Sequence, residues 1–394
     1  MKNNRTFLEK LLDGAEVEWK SLGKVTDIKT GQSVSKNIIA QNSGIYPVIN
    51  SGREPLGFIN EWNTENDPIG ITTRGAGVGS ITWQEGKYFR GNLNYSVTIK
   101  SEYELNVRFL YHVLLHFQKE IHNLCSFTGI PALNASELKK LEIPIPPLSV
   151  QTEIVKILDA LTALTSELTS ELTSELILRQ KQYEYYREKL LSEEELGKVG
   201  FEWKTIDEIS KKISSGGTPT TSNNGYYDNG TIPWLRTQEV DFKEIWDTNI
   251  KITEDALNNS SAKWIPANCV IVAMYGATVG KTAINKIPLT TNQACANIEI
   301  NDKLACYRYI FHYLTSKYEY IKSLGSGSQT NINAQIIKKL KVPVPPIEEQ
   351  YRIVSILDKF ETLTNSITEG LPLAIEQSQK RYEYYRELLL NFKQ

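Results

Sequence analysis

IPIPPLSVQTEIVKILDALTAL, residues 143–164, returns at 342–363 as VPVPPIEEQYRIVSILDKFETL. QKQYEYYREKLL at 180–191 and QKRYEYYRELLL at 379–390 lie at the same offset of 199 residues. Just upstream, ALNASELKKLEIPIPP aligns with NINAQIIKKLKVPVPP, which places Asn134 opposite Asn333. Matches of this length mean that one structural unit is written twice, and the fold must be read as a repeat.

The repeated blocks read as long helices. Across 150–191, apolar side chains fall at Ile154, Leu158, Leu161, Leu164, Leu168, Leu172, Leu176, Tyr183, Tyr186 and Leu190. Steps of 3, 4 and 7 lay one apolar stripe along a helix, close to a coiled-coil seam. Pro146 and Pro147 end the extended segment before it and open the helix, because proline lacks an N–H. About 42 residues at 1.5 Å each span about 63 Å. The second copy carries Gly370 and Pro372, which predict a kink or break. A one-sided stripe needs a partner, and the matching helix of the other repeat supplies one. Packed antiparallel, the two helices would hold the blocks between them at opposite ends, about a pseudo-two-fold axis.

The blocks between the helices differ strongly from each other. EVEWKSLGKV (16–25) still resembles GFEWKTIDEI (200–209), and ITTRGAGVGSI (71–81) resembles VAMYGATVGKTAI (272–284). The offset drifts from 184 to 199, so the second block carries about 15 extra residues. Runs such as YPVI, GSITW, YSVTIK, CVIVAMY and ANIEI, divided by Gly, Asn and Pro, predict strands and turns. VRFLYHVLLHFQKEI (107–121) and CYRYIFHYLTSKYEYIKSL (306–324) predict amphipathic helices. Each block is therefore an α+β domain. The chain divides into a first domain with a short N-terminal helix (1–142), a central helical spacer (143–199), a second domain (200–341) and a C-terminal helical spacer (342–394). Thr6–Gly14 (TFLEKLLDG) resembles the stretch after the first YEYYR, although no long helix precedes it. It could continue where the C-terminal YEYYRELLL stops, closing the repeat in a circle.

The net charge of −2 argues against a simple nucleic-acid binder, but its distribution does not. Residues 20–142 carry 13 Lys/Arg against 11 Asp/Glu, and 204–341 carry 16 against 12. The remaining segments sum to −8. One reading is chance scatter. The other is two mildly basic modules on an acidic scaffold, where phosphate would be attracted. No run approaches the ~20 apolar residues of a membrane span. MKNNRTFLEKLLDG lacks a signal-peptide core, and the four cysteines form no framework. A cytoplasmic protein with reduced thiols is expected.

Two variable domains alternate with two near-identical helices introduced by IPIPPLSVQ and VPVPPIEEQ and ending in QYEYYR and RYEYYR. In this the chain resembles the type I restriction-modification specificity subunits over essentially its whole length. The resemblance implies a DNA-binding subunit without a catalytic site. Each domain would be a target recognition domain that reads half of a split double-stranded site. The helices would act as a ruler and dock two modification subunits, which hold S-adenosylmethionine and methylate adenine. Motor-nuclease restriction subunits, using ATP and Mg, would add cleavage. No cofactor and no metal are expected on this chain.

Thr165–Leu176 is TSEL three times over, with Thr165, Leu168, Leu172 and Leu176 marking the units. Each unit adds about 6 Å of helix and about 40° of rotation. One base pair of B-DNA advances about 3.4 Å and turns roughly 35°. Adding or removing a unit is therefore expected to change half-site spacing by about one base pair. The plainer reading is a solvated helical segment.

Some motifs are decoys. Gly276-Ala-Thr-Val-Gly280-Lys281-Thr282 is one residue short of a phosphate loop, and its counterpart, Gly75 to Ser80, has no lysine. A tight turn between strands fits better. His112 and His116, four apart with His122 nearby, lack a metalloprotease glutamate, and the second repeat offers only His312. A packed or solvated helix face is expected. No methyltransferase NPPF segment and no GxSxG elbow occurs.

Tyr183, Tyr185, Tyr186, Tyr382, Tyr384 and Tyr385 either pack at the helix ends or form a partner-docking surface. The candidate base readers are polar and basic loop residues. In the first domain these are Lys29, Gln32, Ser33, Lys36, Arg53, Arg74 and Asn94. In the second they are Thr218, Asn223, Arg236, Gln238, Lys281, Gln329 and Asn331. Domains this different predict an asymmetric target. The alternative is a coiled-coil adaptor whose α+β heads bind protein and have no DNA role.

Overall fold

A computed structural model describes residues 6–52, 54–325, 331–365 and 369–393. The chain forms two compact halves that cut across the linear repeat. Half 1 is Met1–Glu171 with Ile375–Gln394, and half 2 is Leu172–Ala374. Five helices matter below: α1 (Val107–His116), α2 (Leu148–Leu190), α3 (Tyr307–Ser316), α4 (Ile347–Asn365) and α5 (Leu371–Leu390).

Half 1 contains one sheet ordered Thr26–Thr30, Asn94–Ile99, Ile69–Thr72, Ile81–Trp83. A second is ordered Phe58–Ile59, Ser43–Ile49, Lys87–Arg90, Thr64–Glu65. Half 2 repeats both arrangements. Its larger sheet runs Ser210–Ser215, Cys295–Ile300, Val270–Ala273, Thr282–Asn285, Lys243–Ile245. The last strand pairs parallel to Thr282–Asn285 and has no counterpart in half 1, so part of the longer second block is spent there. The smaller sheet runs Lys251–Ile252, Ile232–Leu235, Leu289–Thr291, Trp264–Ile265.

One proline of each run before a long helix, Pro144 or Pro343, lies in a two-stranded ribbon. Trp19 pairs with Pro144 and Trp203 with Pro343, antiparallel in both halves. A ribbon of two edges tolerates the missing N–H that a central strand would not.

The expected 42-residue helix is α2, 43 residues without interruption. Its second copy is two helices, α4 and α5. Gly370 precedes α5 at φ +90, a left-handed conformation that a side chain resists. A Cβ there would also sit 2.7 Å from the Thr362 carbonyl oxygen. Pro372 falls in the first turn of α5, where no N–H is needed.

The expected apolar stripe is buried at the start of α2 and half-buried or exposed beyond it. Ile154 and Leu158 are fully buried, whereas Leu164 is 64% and Leu168 40% exposed. The two ends of α2 join the two globular cores, while the TSEL leucines are half-buried or exposed.

The half-1 core joins Leu8, Phe109, Leu110, Ile154 and Leu158 to Leu389, Leu390 and Phe392 near the C-terminus. The half-2 core joins Tyr309, Ile310, Ile353 and Leu357 to Leu191 and Leu196. Each domain thus rests on the start of the helix that follows it and on the end of the other long helix. These segments pack antiparallel. In half 2, Tyr186 stacks on Phe360 at 5.5 Å while Leu191 reaches the core beside Ile353. In half 1, Thr162 Oγ1 bonds the Tyr382 hydroxyl at 3.3 Å while Leu389 and Leu390 join Ile154. The circle is closed by matching caps. Thr6 and Glu9 form a capping box at Phe7–Leu12, and Ser192 accepts from the Glu195 amide at Glu193–Gly197. Among the described residues, no helix is long and apolar enough to cross a membrane.

Candidate nucleic-acid interface

In half 1 the strand registers bring several loops to one end of the domain. Thr30 lies opposite Tyr95, Thr72 opposite Asn94, and Ile49 beside Arg90. The chain therefore leaves three strands together, through Gly31–Ser33, Asn50–Gly52 and the turn after Arg74. The Gln32 amide donates to the Arg90 carbonyl at 2.9 Å, and its side-chain oxygen accepts from Asn63 Nδ2 at 3.4 Å. Lys29, Gln32, Ser33, Lys36 and Arg74 are exposed. Arg53 lies outside the described residues.

Asn94 is a correction. It is fully buried, and its Oδ1 accepts from Arg90 Nη1 at 2.7 Å. Arg90 is itself buried and donates to the carbonyls of Ile69, Tyr95 and Asp67. Asn94 begins the strand between Thr26–Thr30 and Ile69–Thr72, so its amide satisfies a buried cation instead of meeting a base.

Half 2 gathers the same end. Ala273 pairs with Cys295, and Leu235 lies beside Thr291. The Thr218 hydroxyl bonds the Gln293 side chain. Thr278 Oγ1 donates to the Thr237 carbonyl at 2.7 Å, which ties Arg236–Gln238 to the Gly276–Gly280 turn. Lys281 Nζ pairs with Asp241 at 2.6 Å and stands 5.5 Å from the Phe242 ring centre. Gln238 is exposed, while Arg236 and Asn331 are half-buried. Arg236 Nε and Asn331 Oδ1 have no hydrogen-bond partner among the described residues. Asn223 stands apart, and its Oδ1 caps the turn Asn224–Tyr226 through the Gly225 amide at 3.1 Å. Gln329 lies outside the described residues. Gln293, Thr278 and Asn63 reach the same ends and were missed. Parallel pairing, as of Ile232–Leu235 with Leu289–Thr291, has no short-range sequence signal that would reveal them.

Both glycine turns are hairpins. Gly75, Gly79, Gly276 and Gly280 all have positive φ. The Gly79 amide donates to the Thr72 carbonyl and the Gly280 amide to the Ala273 carbonyl, each at 2.8 Å. Those amides are unavailable to cradle a phosphate.

The histidines hold the helices. His112 Nε2 and Arg108 Nε bond one oxygen of Asp159 on α2, at 2.8 and 2.9 Å. His312 and Arg308 bond Asp358 on α4 at 2.8 and 2.7 Å. Burial holds His112 below its ordinary value, against the pull of Asp159. Burial raises Asp159 and Asp358, but the hydrogen bonds from histidine and arginine outweigh it and leave both below the usual carboxylate range. His312, Asp358 and Glu361 offer ligand atoms within 4.8 Å of one another. Arg308 already donates to both carboxylates, so the cluster is tied up as an ion-pair network. Gln151 and Gln350, both fully buried, accept from the amides of Asn106 and Cys306 at 2.8 Å. They donate to the carbonyls of Pro146 and Pro345, also at 2.8 Å.

The tyrosines divide. Tyr183 and Tyr186 pack on Phe360, Tyr382 bonds Thr162, and burial pushes the Tyr183 hydroxyl up to about 12. Tyr185, Tyr384 and Tyr385 are exposed.

Two copies of one α+β scaffold, each carrying different polar residues at the same end, define a two-headed recognition protein. The chain belongs to the type I restriction-modification specificity subunits: residues 15–177 and 198–377 match the type I restriction modification DNA specificity domain. It is 42% identical to a protein of Haemophilus influenzae described as a type I restriction enzyme specificity subunit, over 100% of both chains. It is 37% identical to the EcoR124I/EcoR124II specificity subunit of Escherichia coli, over 98% of this chain and 97% of that one. The fold is similar to a subunit in a structure describing complex assembly and conformational transition of the type I system (TM-score 0.66, 16% identity, 95% and 98% of the chains). It also resembles the S subunit from M. genitalium (TM-score 0.52, 19% identity, 97% and 98%).

Proposed function

We propose that this chain reads a split, asymmetric DNA target with its two domains, has no catalytic site of its own, and directs adenine methylation by two modification subunits. S-adenosylmethionine belongs to those partners. Cleavage belongs to motor-nuclease subunits using ATP and Mg. The complex works in the cytoplasm. The observation that carries the reading is one scaffold used twice with different residues at the equivalent sheet end, joined through an unbroken helix that contains the TSEL repeats. In half 1, Lys29, Lys36 and Arg74 supply charge for phosphates and Gln32 and Ser33 supply groups for base edges. In half 2, Thr218, Arg236, Gln238 and Asn331 play the second part, with Lys281 released from Asp241. The exposed Tyr185, Tyr384 and Tyr385 dock the modification subunits.

The TSEL segment sets half-site spacing. Its leucines are half-buried or exposed, so a unit can be removed without emptying a core. Single-molecule mapping of N6-methyladenine, with and without the gene, tests the reading. One two-part motif should vanish with the gene. A chain with two TSEL units should methylate the same half-sites about one base pair closer. Unchanged methylation in cells that also express the methyltransferase would overturn the role, and an unchanged spacer would overturn the ruler.

A further inference from the structure

Half 2 carries a groove of about 880 Å³. Its floor is aliphatic, from Leu324, Ile336 and Leu340. Trp203, 44% exposed, and Tyr320, 58% exposed, flank it. Lys317, Lys339 and Lys341 stand exposed on its rim. Nearby lysines are spent in ion pairs, Lys204 with Glu202 at 3.0 Å and Lys338 with Asp207 at 3.3 Å. Lys317, Lys339 and Lys341 pair with no carboxylate among the described residues.

The matching surface of half 1 carries different residues, with carboxylates in place of apolar and basic side chains. Phe117 stands where Lys317 does and packs edge-on to Trp19 at 6.5 Å, leaving that tryptophan half-buried. Glu120, Glu137 and Glu142 replace Tyr320, Ile336 and Lys341. Lys140, the counterpart of Lys339, is neutralised by Glu137 at 2.8 Å. The scaffold does not require these groove residues, since the other copy builds the same ribbon with different ones.

We propose that this groove docks an acidic segment of a partner protein, which seats one large apolar side chain on the aliphatic floor and lays carboxylates on the lysine rim. The rim offers ammonium donors, and the floor side chains Leu324, Ile336 and Leu340 are aliphatic, so a nucleobase N–H pressed on them would meet no acceptor there. A carboxylate-flanked Phe or Leu matches both layers. Because half 1 carries Glu120, Glu137 and Glu142 at the equivalent positions, which repel an acidic segment, the segment docks once per chain, unlike any partner held by the duplicated helix elements. DNA reading does not depend on it.

Titrating the full chain with a fluorescein-labelled octapeptide, EDELFEDE, tests this by anisotropy. Saturable binding at one site per chain is expected. It should weaken about tenfold or more in K339E/K341E, and in Ile336→Glu, which installs the half-1 residue. Replacing the peptide's Leu-Phe by Ser-Ser should abolish binding. Affinity unchanged by K339E/K341E, no binding at millimolar peptide, or tighter binding of an oligothymidylate octamer lost in the same variant would each overturn the proposal. These variants change partly or fully exposed residues, and DNA binding by the same preparations reports that the fold is intact.

Discussion

The two helix clamps use the same atoms on the helix and different neighbours from the domain. In half 1, Arg108 bonds one carboxylate, Asp159, and lies over two rings, 4.4 Å from the Trp83 centre and 4.9 Å from Tyr111. In half 2, Arg308 is held by Asp358, Glu361 and Glu244. Lys286 approaches Glu244 at 3.8 Å. Trp83 ends a strand of the half-1 sheet, whereas Glu244 comes from the strand that only half 2 possesses. What the helix contributes is retained: histidine partner, arginine partner, buried glutamine. The domain helices keep the arginine and histidine as well, and what the rest of the variable domain sets around them is free to change, provided that the arginine's charge is met. This is how one scaffold can carry two domains of unrelated surface.

Substitutions separate the shared part from the free part. The largest effect is expected at the glutamines. Gln151→Ala orphans the Asn106 amide and the carbonyls of Pro146 and Glu104, at a cost of about 2–4 kcal/mol. Gln350→Ala orphans the Cys306 amide and the Pro345 carbonyl and should cost about 2 kcal/mol. Urea unfolding followed by hydrogen exchange in peptides covering α1 and α3 assigns each loss to its half. Equal protection in wild type and variant would show that the glutamines do not set the helix start.

Asp159→Ala is next, because it strips both Arg108 and His112 at once, for about 2–3 kcal/mol. Asp358→Ala also strips His312 but should cost less, about 1–2 kcal/mol, since Arg308 keeps Glu244 and Glu361. Equal losses would mean that the three carboxylates are not interchangeable. Removing Asp358 also relieves Glu361, which burial holds above the usual carboxylate range with Asp358 adding to the shift.

The smallest effect is a pH window in half 1. Burial keeps His112 below its ordinary value of 6.5, while Asp159 favours and Arg108 and Arg386 oppose its protonation. As pH falls below 6.5 the unfolded chain takes a proton that the folded state refuses, so half 1 loses stability until the folded value is passed. Asp159 and Asp358 act lower, their contribution being lost as pH falls from 3.8 through their folded values. His112→Asn should flatten the upper window in α1 exchange, and an unchanged slope there would assign the window elsewhere.

The repeat was legible residue by residue, including the start of α2, the break at Gly370 and the capped N-terminal segment that completes the circle. The glycine turns also read correctly, because positive φ and a hairpin leave a local signature. Asn94 misled because a buried asparagine and a base-reading one look alike in sequence. Arg90, four residues on the other side of a turn, decides between them. His112 and His312 were legible as helix-face residues, but their aspartates lie 47 and 46 residues away and carry no pattern. Tyr185 and Tyr186 are neighbours in sequence with opposite fates, since one faces solvent and the other meets Phe360.

Periodicity, proline placement and the doubled motif determined by themselves that this chain is two α+β domains alternating with two helical spacers. Those signals act over one to a few turns of chain, where backbone sterics and side-chain spacing dominate. Tertiary structure alone decided which ends of the strands gather, which polar groups are consumed inside, and that each domain rests on segments from both long helices. Those outcomes depend on pairing between residues distant in sequence, where satisfying each buried donor and charge, rather than local propensity, selects the arrangement.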